Sequence, residues 1–242
     1  MATLRVATYN IHKGVQGLGP GRRLEIHNLA HAVEQFDADI VCLQEVRRHH
    51  RKLERQFTRW PDLDQAGYLS PEGYESVYRT NATTRHGEHG NALLSRWPVI
   101  DVQHSDVSDH RFEQRGLLHV NLLVDGIEMH AIVVHFGLIH ASRERQVQRL
   151  GAYIQSTVPA GAPLIVAGDF NDWGAQLLRP MSAMDLHTFE GIRLATYPSR
   201  LPLLHLDRVF VRGLRLVSAK VPHGRVWSRM SDHLPLIAEL EL

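Results

Sequence analysis

Pro163-Leu164-Ile165-Val166-Ala167-Gly168-Asp169-Phe170-Asn171 runs from an unbroken apolar stretch into a glycine, a carboxylate and an amide. A short apolar run bounded by proline and glycine reads as a strand buried on both faces. Its polar end marks where a core strand leaves the core. Working outward, the same pattern recurs. Leu4-Arg5-Val6-Ala7-Thr8-Tyr9-Asn10 is a strand ending at an amide, and Ala38-Asp39-Ile40-Val41-Cys42-Leu43-Gln44-Glu45 suits a central strand ending at a carboxylate. Leu206-Asp207-Arg208-Val209-Phe210-Val211 repeats the motif, and Ser231-Asp232-His233 places its polar residues ahead of the apolar segment Leu234–Leu240. Between Gly116 and Phe136 two apolar runs flank Asp125-Gly126, the dipeptide favoured where both turn residues need positive φ. That hairpin delivers His135 to the end of its second strand.

Leu24, Leu29, Val33 and Phe36 recur at helical spacing and predict a surface helix with one buried stripe. Ser142 is the expected N-cap of a second helix, whose inner face is Val147, Leu150, Tyr153, Ile154 and Val158 and whose end is Pro159 and Gly161. Residues 47–90 read as a long polar loop or short helices before a strand at Tyr74–Arg79, and Gly90–Ser95 is a further core strand. The run Arg47-Arg48-His49-His50-Arg51-Lys52 reads as a solvated face rather than a nucleic-acid patch. Leu201-Pro202-Leu203-Leu204 is expected to lead into the next strand rather than to form an apolar lip. With no repeat and no linker-like tract, residues 1–242 are expected to form one domain, with sheets covered by helices and an antiparallel component.

The 27 Lys and Arg against 26 Asp and Glu leave a formal charge of +1, which argues against a scaffold that grips duplex nucleic acid by bulk charge. A hydrophobic fraction of 43% over 242 residues is enough for a large core without staples. The single cysteine, Cys42, excludes an intramolecular disulfide and a paired-cysteine metal ribbon, and reads as a small buried hydrophobe. Met1–Val6 lacks the charged-then-apolar pattern of a signal peptide, and the longest apolar runs fall far short of a bilayer span. A soluble cytoplasmic protein is expected, with no transmembrane segment and no obligate protein partner.

The polar residues at the strand ends carry the chemistry. Asn10, Glu45, His135, Asp169, Asn171, Asp207, Asp232 and His233 would, if they converge, set several carboxylates against one another. Such a cluster needs a positive partner. Carboxylates and an amide, without a thiolate, favour Mg²⁺ or Mn²⁺ over structural zinc. Arg115 starts the hairpin near the expected mouth, where its fork suits a phosphate, and His12 and Asn91 are expected to line the pocket.

Thr8-Tyr9-Asn10-Ile11-His12, Leu43-Gln44-Glu45, Gly90-Asn91-Ala92-Leu93-Leu94-Ser95, Gly168-Asp169-Phe170-Asn171, Leu206-Asp207 and Ser231-Asp232-His233-Leu234-Pro235 together resemble the ordered motifs of the endonuclease/exonuclease/phosphatase superfamily. The resemblance spans residues 6–240. It implies an α/β fold, a four-layer sandwich of two largely antiparallel mixed sheets packed face to face and flanked by helices, with the active site at one end of the sheets. It implies that Glu45 is the principal metal ligand with Asn10 beside it, and that Asp232 is a further metal or histidine-orienting carboxylate. Asp169 would orient or deprotonate the attacking water, Asn171 would donate to a phosphoryl oxygen, and Asp207 would fix the His233 tautomer. His135 resembles the second histidine of the DNase I and sphingomyelinase branches, a general acid for the leaving oxygen. The implied activity is divalent-metal-dependent phosphoester hydrolysis, with a phosphodiesterase acting on a small or lipid-like diester preferred. A nuclease is the alternative within the enzyme class, and a non-catalytic binding module stands outside it.

Overall fold

The computed structural model describes residues 3–242, with the side chain of Pro20 excepted. β1 (Thr3–Asn10) is buried along most of its length and ends at Asn10. The short ribbon of β2 (Val15–Gln16) and β3 (Arg23–Leu24) precedes α1 (Ile26–Phe36). α1 buries Ile26, Leu29, Val33 and Phe36 on one stripe, while Leu24, expected on that stripe, belongs to β3. β4 (Ile40–Val46) follows, then two short helices, α2 (Arg51–Gln56) and α3 (Gln65–Leu69). β5 (Glu75–Thr84), β6 (Gly87–Ser95) and β7 (Val99–Asp106) lead to the hairpin of β8 (Gly116–Val124) and β9 (Ile127–His135). Asp125 and Gly126 both have positive φ, 49° and 82°, as its two-residue turn requires.

α4 (His140–Thr157) begins two residues before Ser142, with Ile139 at the cap position. Ser142 lies inside the first turn, where its hydroxyl donates to Asp109 Oδ2 at 2.7 Å, so it ties the helix to a loop instead of capping it. β10 (Leu164–Asp169), α5 (Leu178–Ser182), β11 (Asp207–Arg212), β12 (Arg215–Lys220), α6 (Trp227–Met230) and β13 (Leu236–Glu241) complete the chain.

A six-stranded sheet has the order β12-β13-β1-β4-β6-β5, and a five-stranded sheet the order β11-β10-β9-β8-β7. β1 with β4 and β9 with β10 are parallel, and the other neighbours run antiparallel. Val6, Ile40, Cys42 and Leu93 of one sheet pack on Val120, Ala131, Ile165 and Val209 of the other, forming the central layer of core. Burial pushes the Cys42 thiol up to about 12, so it stays an unreactive hydrophobe. A second core lies between the six-stranded sheet and α1 with α3, and a third between the five-stranded sheet and α4 with α5. The result is a four-layer α/β sandwich. β7 and β12 were not legible as strands because each is an edge strand with a largely solvent-facing, mixed sequence.

Register places the chemistry. Asp169 at the end of β10 pairs across the sheet with His135 of β9 on one side and Asp207 of β11 on the other. Three candidate site residues therefore stand shoulder to shoulder on three adjacent strands, about 5 Å apart. Gly168 permits that approach, since a Cβ there would fall 1.9 Å from the Val134 carbonyl oxygen, and its φ is +153°. Gly168→Ala is expected to destabilise the fold by about 3 kcal/mol or more, measured by urea denaturation.

Candidate active site

Asp207 is fully buried, and its Oδ2 accepts from His233 Nδ1 at 2.8 Å and from the Thr196 hydroxyl at 2.5 Å. That grip turns His233 Nε2 toward Asp169 Oδ2, 3.6 Å away. His135 Nε2 meets the same oxygen from the opposite side, also at 3.6 Å. Asn10 donates to Asp169 Oδ2 at 3.1 Å, and the Asn171 backbone N–H donates to Oδ1 at 2.9 Å. Asn171 reaches this position with φ of 49°, and its side-chain amide is steadied by donating to the Phe136 carbonyl at 2.9 Å.

The electrostatics separate the two histidines. Burial opposes charge on His233, but Asp207 and Asp169 outweigh it and lift its pKa well above the usual imidazole value. His233 is therefore a cation at neutral pH. Burial, reinforced by Arg115, holds His135 far below the usual value and leaves it neutral. Burial raises Asp169 above the ordinary carboxylate range, with the Asp207 charge adding to it and the His233 cation opposing it.

Glu45 occupies a bulge where the β4–β6 register shifts, and its φ of 57° swings the side chain out of the strand alternation toward this cluster. Burial opposes its charge, but Lys13, whose Nζ lies 2.6 Å from Glu45 Oε2, outweighs that and holds the carboxylate ionised. His12 Nδ1 lies 3.1 Å from Asp232 Oδ1, and the Ser231 hydroxyl donates to the Asn10 carbonyl at 2.6 Å, pinning the 231–233 segment to β1. His12, Lys13, Glu45 and Asn171 are all non-glycine residues with positive φ. Such conformations persist where the surrounding structure holds them, as the Lys13–Glu45 and Asn171–Phe136 bonds do here.

Asn10, Glu45, Arg115, His135, Asp169, Asn171, Asp232 and His233 line one cavity of about 150 Å³. Asp207 supports it from behind. His12 stands at its edge, and Asn91 lies outside. The Asn91 amide donates to the carbonyls of Gly116 at 3.0 Å and Val133 at 3.1 Å, joining the two sheets. Asn91→Ala is expected to lower stability by about 2 kcal/mol in urea denaturation, because two buried carbonyls lose a donor. Arg115 is fixed at the cavity wall by donating to the Phe136 carbonyl and to Glu113.

Leu138, Trp173, Tyr197 and Leu206 complete the lining, and none of them was singled out from the sequence. Trp173 alone had a signal, as an aromatic two residues beyond Asn171. The segment 201–204 does not run into β11. It folds back, with the backbone N–H groups of Leu203 and Leu204 donating to the Tyr197 carbonyl, and leaves Leu201 and Leu203 exposed. Tyr197 packs 4.9 Å from the His233 ring, so this apolar loop borders the site.

The donor set suits a hard divalent cation on the Glu45 side. Glu45, Asp232 and Asn10 offer oxygens, with the Lys13 ammonium already lying against Glu45 and the His12 ring against Asp232. Asp169, Asp207 and His233 also come close enough to hold an ion. The 2.8 Å bond from His233 Nδ1 to Asp207 Oδ2 makes that group a hydrogen-bonded pair, with Asp207 Oδ1 buried and without a partner.

Residues 7–233 match the model of the Endonuclease/Exonuclease/phosphatase family. The chain is 36% identical over 251 residues to the protein YbhP of Escherichia coli (strain K12), covering 99% of this chain and 97% of YbhP. A solved endonuclease/exonuclease/phosphatase from Bacteroides vulgatus superposes with a TM-score of 0.77 at 19% identity, covering all of both chains. The mannosyl-6-phosphatase Bt3783 of Bacteroides thetaiotaomicron superposes with a TM-score of 0.74 at 18% identity, covering 99% of this chain and 100% of that one. With the family model matched over residues 7–233 and a relative 36% identical along nearly the whole chain, the chain belongs to the endonuclease/exonuclease/phosphatase family of phosphoester hydrolases.

Proposed function

We propose that the protein is a divalent-metal-dependent phosphodiesterase acting on a small or lipid-like phosphodiester. The observation that carries this reading is Asp169 held between a cationic and a neutral imidazole, both 3.6 Å from one carboxylate oxygen. A single base flanked by a fixed cation and a neutral imidazole is what in-line attack of water on phosphorus needs.

Asp169, with its raised pKa, accepts the proton of the attacking water. Asn10 and the Asn171 N–H aim the carboxylate. The His233 cation, oriented by Asp207, stabilises charge as it develops on the phosphoryl oxygens, and the second N–H of the Asn171 amide is free to donate to one of them. His135 is neutral in the empty cavity and gains a proton as an anionic phosphoester enters, because adjacent negative charge favours imidazolium. It then returns that proton to the leaving oxygen. Mg²⁺ or Mn²⁺ held by Glu45 with Asn10 and Asp232 would supply the positive charge that neutralises the phosphoryl group.

The substrate class follows from the surroundings. Exposed Leu138 and Trp173 line the mouth, and exposed Leu201 and Leu203 lie on the loop beside it, which suits an apolar or amphiphilic alcohol on the diester. The formal charge of +1 gives little grip on a long polyanion. The test is Mg²⁺-dependent hydrolysis measured side by side on bis(p-nitrophenyl) phosphate, p-nitrophenyl phosphate, plasmid DNA and phospholipid vesicles. Faster cleavage of the diester or the lipid than of the monoester, without nicking, is expected. Nicking that outpaces diester hydrolysis and falls steeply with salt would make the protein a nuclease, and tight binding without turnover would make it a binding module.

A further inference from the structure

Beside the catalytic cavity lies a second one, of about 160 Å³, walled by Lys13, Arg22, Arg47, His12 and His50 with no acidic residue among those that line it. It opens where the short ribbon β2–β3 passes over the end of β4 and the start of α2. Lys13 and His12 form the partition, since they contact Glu45 and Asp232 of the catalytic cavity.

Arg47 is the telling residue. Its backbone is tied down, with the N–H donating to Gln65 Oε1 at 2.8 Å and the carbonyl accepting from the Gln65 N–H at 3.0 Å. Its guanidinium is half-buried, and Nη1 is shut off from solvent with no acceptor. Among the described residues no carboxylate lies within ion-pair distance of Arg47 or Arg22. A guanidinium nitrogen shut off from solvent without an acceptor is costly, and an anion in the cavity would supply the missing acceptor. Its neighbours supply further donors. His50 Nδ1 accepts from the Leu53 N–H at 3.3 Å, which leaves the His50 proton on Nε2 as a donor.

We infer that this cavity is a phosphate-binding subsite, and that the substrate of the neighbouring catalytic cavity carries a second phosphate group that is bound here and not cleaved. The inference rests on the phosphodiesterase reading for its substrate class, but the subsite itself does not. Arg47 and Arg22 present planar forks to the phosphate oxygens, and His50 adds a neutral donor. Arg48, Arg51 and Lys52 point to solvent, so the basic run at 47–52 is divided between a solvated face and one inward-facing arginine.

Two measurements test it separately. The first is binding of inorganic phosphate to the metal-free protein by calorimetry and by thermal shift. Wild type is expected to bind and to gain melting temperature, whereas Arg47→Gln binds about tenfold more weakly and Arg47→Lys falls between. Without phosphate, Arg47→Gln is expected to melt no lower than wild type, since it removes an unpaired charge. Equal phosphate binding by wild type and Arg47→Gln would overturn the subsite, as would a collapse of the Arg47→Gln fold.

The second compares hydrolysis of thymidine 3′-(p-nitrophenyl phosphate) with and without a 5′-phosphate, and of vesicles of phosphatidylinositol with and without a 4-phosphate. A preference for the phosphorylated member of either pair that shrinks about tenfold in Arg47→Gln supports the inference, and the pair that shows it tells a soluble from a lipid source. No preference in either pair overturns the second-phosphate assignment. If no diester is cleaved but phosphate binding still depends on Arg47, the subsite stands and the phosphodiesterase reading fails.

Discussion

Asp169→Asn is expected to lower turnover by roughly 10²–10⁴-fold and, at the same time, to gain melting temperature relative to wild type as the pH rises from 4 to 8. Asparagine keeps an oxygen for the Asn171 N–H but loses the acceptor for the Asn10 amide and cannot accept a proton from water. The stability change follows from linkage. Burial lifts the folded-state pKa of Asp169 above its unfolded value of about 4, so folding disfavours its charged form. That penalty is absent at pH below about 4 and grows as the pH rises toward the lifted value. The difference in melting temperature between Asp169→Asn and wild type should therefore move in the variant's favour by at least about 3 °C between pH 4 and pH 8. A difference that does not move with pH, or moves in favour of wild type, would mean that the fold does not penalise the Asp169 charge.

His233→Gln is the second large effect, with an expected loss of about 10²–10³-fold in turnover because the cation facing the phosphoryl group is removed. Its stability signature has the opposite sign. Asp207 and Asp169 overcome the burial penalty and raise the folded-state pKa to about 10, so the histidine's contribution is complete below the unfolded value near 6.5 and fades as pH rises toward 10. His233→Gln should thus destabilise more at pH 6 than at pH 10. Asp207→Asn probes the pair from the other side. It lowers the His233 pKa, so the alkaline limb of the rate profile is expected to move toward neutral pH, with a rate loss of about 10–100-fold. A uniform drop in rate with an unmoved profile would show that Asp207 acts only as scaffold.

The central strands were legible because burial on both faces demands unbroken apolar runs, as in Leu164–Ala167 and Ile40–Leu43. Edge strands β7 and β12 escaped because a single partner and a solvent face permit Asp101, Gln103, Ser218 and Lys220. The polar residues where runs stop were legible for the same reason, and register then carried His135, Asp169 and Asp207 together. What the sequence hid is long-range. Asn91 sits in a recognisable core strand, but its amide is spent on carbonyls of the other sheet. Lys13 and Thr196 lie in irregular chain, where no periodicity marks a partner 32 or 11 residues away. Ser142 has the chemistry of a cap, yet Asp109 claims its hydroxyl and α4 starts earlier. Arg47 looked like one more charge in a solvated run until β4 and Gln65 fixed its backbone and turned it inward.

The most direct test of the account is hydrolysis of bis(p-nitrophenyl) phosphate by the purified protein across an Mg²⁺ titration, with EDTA and with Asp169→Asn as controls. Turnover that rises and saturates with Mg²⁺, vanishes in EDTA and is lost in Asp169→Asn is the predicted result. Turnover that persists undiminished in EDTA or in the folded Asp169→Asn variant would contradict a metal-assisted phosphoester hydrolase built around this carboxylate.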